Sequence, residues 1–147
     1  MSDSPRESGV GGDQGGAQKT IQIGPNQLIF GDDNVAVFRL SGKLEREHAA
    51  VLVKEISAFQ NIHPNLVLLV DLTLGDGLEP DARKLIIAGV TERPYAVGFI
   101  RAKFGVRALI GMMLNASRLL GMRYPHKFVD SEAEGRSWAK SLTHDWI

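Results

Sequence analysis

Residues 65–81 read Asn-Leu-Val-Leu-Leu-Val-Asp-Leu-Thr-Leu-Gly-Asp-Gly-Leu-Glu-Pro-Asp. Five large aliphatics, Leu66, Val67, Leu68, Leu69 and Val70, come first. Asp71 and a Gly75-Asp76-Gly77 loop follow, and Pro80 opens the next periodic segment. A short continuous apolar run bounded by turn residues is the pattern of a strand covered on both faces. Burying those five side chains stabilises by roughly 7–15 kcal/mol as an upper bound. This reading makes the run the central strand and places a loop at its C-terminal end.

Upstream, residues 19–30 carry Ile21, Ile23, Leu28, Ile29 and Phe30, interrupted by Gly24-Pro25-Asn26. They read as one strand with a break or bulge, at an edge of the sheet. Gly31-Asp32-Asp33-Asn34 is a turn, and residues 35–40 complete an antiparallel hairpin. Ser41-Gly42 closes that strand. From Leu44 the apolar period changes: Ala49, Leu52, Val53, Ile56 and Phe59 fall on one face of a helix that ends before Pro64.

Downstream, Pro80 suits a first helical turn, with Glu79 and Asp81 near its positive end. Residues 95–100 form a further strand and residues 103–121 a long helix. Residues 126–129 form the last strand. Ser131-Glu132-Ala133-Glu134 matches a capping box that starts a final helix. The order is β-β-α-β-α-β-α-β-α. It implies an α/β fold with a mostly parallel five-stranded sheet.

With 147 residues the chain has the length of one domain with its own core. Residues 1–18 are poor in large aliphatics and read as a disordered tail, leaving 19–147 as a single domain. Seventeen basic and seventeen acidic residues cancel, so no global field favours nucleic acid. The absence of cysteine excludes disulfides and thiolate chemistry and fits a cytoplasmic protein. No apolar run is long enough to span a bilayer.

Several chemistries fail on residue pattern. Gly75-x-Gly77-x-x-Pro80 lacks the third glycine of a dinucleotide loop. Asp71, Asp76, Glu79 and Asp81 crowd one strand end. A metal there needs a second acidic group, whereas the neighbouring strand ends read Arg39-Leu40-Ser41 and Ile100-Arg101. The plainer role is Asp71 bonding loop amides. His48, His63, His126 and His144 are not at ligand spacing. No catalytic, cofactor or metal residues are assigned.

The order of elements and three stretches resemble the SpoIIAA-like subfamily of STAS domains, relatives of the sporulation anti-sigma-factor antagonist. Residues 68–84 look like its aspartate-ended strand, glycine loop and Pro-x-Ala-Arg helix start. Residues 96–120 look like its strand and long apolar helix, and residues 128–142 like its phenylalanine strand, Glu-Ala cap and tryptophan helix. The resemblance implies a non-catalytic regulatory module that works through protein contacts. The alternative it implies is a carrier or sensor of a small apolar ligand or lipid. Partner-switching STAS proteins carry a phosphorylatable serine before the second helix. Residues 74–79 contain none, and Thr73 is the only hydroxyl nearby.

Two surfaces are candidates. One is a contact loop with Thr73, Asp76, Gly77 and Glu79. The other is the face of the long helix with Lys103, Arg107, Met112, Met113 and Arg118. That helix is apolar over more of its circumference than one face requires. Three surroundings fit it: burial between the sheet and a neighbouring helix, a homodimer interface, or a membrane or lipid contact.

Overall fold

The computed structural model describes residues 18–119, 121 and 124–142. The expected tail lies outside them but for Gln18, as do Leu120, Met122, Arg123 and His144.

A six-stranded sheet runs in the order β1-β2-β3-β4-β5-β6. Its strands are β1 Lys19–Ile23, β2 Asn26–Phe30, β3 Val35–Leu44, β4 Val67–Leu78, β5 Ala96–Ile100 and β6 His126–Val129. The first two pairings are antiparallel and the last three parallel. The α/β class and the element order from β3 onward are those expected. The sixth strand arises because the interruption in residues 19–30 is a full reversal. Gly24 takes φ +59°, a conformation that costs a residue without Cβ little, and Ile23 then pairs directly with Asn26. Asn26 is buried. Its amide donates to the Ile23 carbonyl at 3.0 Å, and its side-chain oxygen accepts from the Ser41 backbone N–H at 2.8 Å.

Helices α1 Arg46–Ile62, α2 Pro80–Glu92 and α3 Phe104–Leu119 connect the parallel strands, and α4 Glu132–Ser141 follows β6. Each crossover advances one strand in the same direction. Uniform handedness therefore places α1, α2 and α3 on one face. Phe38, Leu68, Leu72 and Val97 join Leu52, Ile56, Val90, Val106 and Ile110 in the core there. On the opposite face Val37, Val67, Leu69 and Ile100 pack under α4, against Ala139 and Trp138. The aliphatic run of β4 is thus covered on both sides, with Leu69 and the preceding Leu66 fully inaccessible.

Ser131 caps α4 as expected, its hydroxyl accepting from the Glu134 N–H at 3.1 Å. Glu134 reaches back to the Asp130 N–H at 3.1 Å rather than to that of Ser131.

Candidate functional site

The sequence reading of residues 73–79 as a loop is corrected. β4 does not stop at Asp71 but continues to Leu78, and β3 continues to Leu44 beside it. Register shifts between Arg39 and Ser41 and between Gly42 and Lys43 let both strands stay paired. Gly42 at φ +71° and Gly77 at φ +132° supply backbone that other residues rarely adopt. The turn-like composition of Gly75-Asp76-Gly77 therefore marks an irregular strand, not a loop. β4 pairs with β5 as far as Asp71↔Ile100. Beyond that point β3 and β4 project as a two-stranded ribbon.

The four candidate residues sit along this ribbon and its exit. Thr73 and Asp76 are exposed, Gly77 is buried, and Glu79 is half-buried at the N-cap of α2 without a side-chain capping bond. Asp71 accepts from the Thr73 N–H at 3.0 Å and from its hydroxyl at 2.6 Å. Thr73 is thus engaged, and it lies on the strand instead of at the helix start. Arg39 faces Asp71 at 3.9 Å and Glu132 at 3.4 Å. Glu132 also accepts from Arg136 at 3.0 Å. The acidic strand end is therefore tied into an ion-pair chain. No group of three acid or histidine side chains at metal-holding distance occurs among the described residues.

Helix α3 borders the ribbon. Lys103 Nζ reaches Asp76 Oδ1 at 3.2 Å, joining the two candidate sets into one surface. The inner face of α3 is Val106, Ile110, Met113, Leu114 and Ser117. Its outer face shows Phe104 at 88%, Met112 at 69% and Leu119 at 83% exposure. Leu74 of the ribbon is 70% exposed. Arg107 and Arg118 are exposed, and the Arg107 guanidinium lies 4.5 Å from the centroid of the Phe128 ring. Met113 is half-buried and lines the space beneath α3, on the side of its neighbours at helical spacing, Ile110 and Ser117. The two adjacent methionines thus differ in surroundings, Met112 exposed and Met113 half-buried.

Beneath the inner face lies an apolar cavity of about 100 Å³, partly open at its mouth, between the sheet and α1, α2 and α3. Its walls include Phe38, Leu68 and Val97 from the sheet and Leu52, Ile86 and Ile110 from the helices. Tyr95 and Tyr124 also line it. Burial raises the pKa of both phenols, and a hydrogen bond with Ser117 partly offsets the rise at Tyr124. Sequence reasoning missed this cavity. Its lining comes from every layer on that face, and nothing in the local spacing signals a void.

The architecture is that of the SpoIIAA-like fold. The anti-sigma factor antagonist SpoIIAA, in its unphosphorylated form, superposes with a TM-score of 0.59 at 12% identity, over 80% of this chain and 99% of that one. An uncharacterised protein with a SpoIIAA-like fold from Shewanella loihica gives 0.55 at 18% identity, over 89% and 99%. A candidate anti-sigma factor antagonist from Thermotoga maritima gives 0.52 at 13%, over 74% and 89%. These identities carry the fold alone. No family model and no curated protein matches the sequence. No helix among the described residues is long and apolar enough to cross a membrane.

Proposed function

We propose that this chain is a non-catalytic regulatory module acting through protein–protein contact. The contact surface is the β3–β4 ribbon with the outer face of α3. One observation carries the reading: Phe104, Met112 and Leu119 are exposed on the helix that Lys103 ties to Asp76 of the ribbon. Large apolar side chains grouped on one exposed face mark interaction sites. The antagonist role of SpoIIAA, a fold neighbour, supports the same class. A cytoplasmic location belongs with this reading, and a phosphoswitch at Thr73 does not.

Charge favours an acidic protein over a second copy. Residues 104–119 include Arg107 and Arg118 and no acid. Two copies docked antiparallel through α3 oppose arginine to arginine, which is unfavourable. The test is association with acidic binding proteins selected against the wild-type chain, compared with Phe104→Asp and Leu119→Asp. Loss of binding in both variants, with unchanged melting, is expected. A wild-type chain that stays strictly monomeric and yields no binder sensitive to these positions overturns the reading.

A second reading, a sensor of a small apolar ligand, is favoured by the core cavity.

A further inference from the structure

We propose that the cavity under α3 is a binding site for one small, uncharged, predominantly hydrocarbon molecule of about benzene size. This rests on the small-ligand reading and goes beyond it by fixing the chemical class. The volume is about 100 Å³. A water occupies about 30 Å³ of liquid, and a buried water needs two to four polar partners. The walls are poor in such partners. Among the described residues, only Tyr95 and Tyr124 line it with a side-chain oxygen or nitrogen. Apolar cavities of roughly 150 Å³ stay dry and take up benzene or xenon.

Charge excludes the other apolar ligands. Among the described residues no lysine, arginine or histidine lines the cavity, and burial raises the pKa of both phenols. A carboxylate or phosphate would sit there desolvated and unpaired, at a cost that apolar contact does not repay. The volume also leaves no room for a long acyl chain. Fatty acids and phospholipids are therefore disfavoured.

The adjacent methionines supply the readout. Met113 lines the cavity, while Met112 is exposed on the outer face. The full-length chain labelled at its methionine methyl groups is titrated by NMR with benzene, cyclohexanol and hexanoate. Benzene and cyclohexanol are expected to shift the Met113 methyl saturably and leave Met112 in place, while hexanoate shifts neither. Val106→Phe, which fills the void, is expected to weaken benzene at least tenfold. Ile110→Ala, which enlarges it, is expected to favour toluene over benzene relative to wild type, and it serves where the filling variant does not fold. Hexanoate binding with benzene-like affinity overturns the ligand class and leaves the small-ligand reading standing. Met113 unmoved by every probe overturns both. Benzene binding unaffected by Val106→Phe, or a toluene preference unchanged in Ile110→Ala, overturns the site.

Discussion

Lys103 Nζ lies 3.2 Å from Asp76 Oδ1, closing a contact between the residue that precedes α3 and the far end of the β3–β4 ribbon. Both side chains are more than half exposed. Their attraction is therefore screened and is worth at most about 1 kcal/mol. The consequence is positional: the ribbon and the outer face of α3 form one continuous surface. A double-mutant cycle with Asp76→Ala and Lys103→Ala, read by urea unfolding, is expected to give a coupling of about 0.2–1 kcal/mol. Strictly additive variants would show that the pair does not form in solution.

The two faces of α3 should respond differently to substitution. Met112→Gln on the outer face is expected to leave stability within about 0.5 kcal/mol of wild type. Ile110→Ala, two positions earlier on the inner face, is expected to cost about 2–5 kcal/mol. Equal losses at both positions would mean that the outer face is packed against something in the free protein.

Gly98 tests the packing of α4 on the sheet. A Cβ at this position would sit 2.8 Å from Leu69 Cδ2 and 3.2 Å from Trp138 Cζ3. Leu69 is fully buried and has little room to yield. Gly98→Ala is expected to destabilise by about 1–3 kcal/mol through overpacking. Unchanged thermal unfolding would show that α4 sits farther from the sheet than described.

Tyr95 predicts alkaline sensitivity. Burial, with the nearby Tyr124 adding to it, raises its pKa in the folded protein. The unfolded chain loses its phenol proton near the ordinary value of about 10. Below that pH both states bind the proton and stability is flat. Above it the unfolded state releases a proton that the folded state keeps, so stability falls by about 1.4 kcal/mol per pH unit for this group. Denaturant unfolding between pH 9 and 11.5 checks the slope. Tyr95→Phe is expected to make it shallower. A slope unchanged in that variant would mean that the phenol is hydrated in the folded protein.

Much of the fold is legible locally. The aliphatic run of β4 is long enough to fill one strand and too short for a helix of ordinary length, and Pro80 and Ser131 mark helix starts through their own backbone chemistry. The ribbon was not legible. Gly75, Asp76 and Gly77 have turn composition, and their strand conformation depends on Gly42, Lys43 and Leu44 lying alongside. A partner strand more than thirty residues away leaves no trace in local periodicity.

Residues 65–81 therefore divide by range of interaction. Sequence alone determined that residues 67–70 belong to a strand covered on both faces, because such cover demands continuous hydrophobicity. It also determined the helix that follows Pro80. Tertiary structure alone decided that the glycines continue the strand and that Asp76 meets Lys103. Each of these depends on the relative position of elements distant in the chain, and neither composition nor period encodes that position.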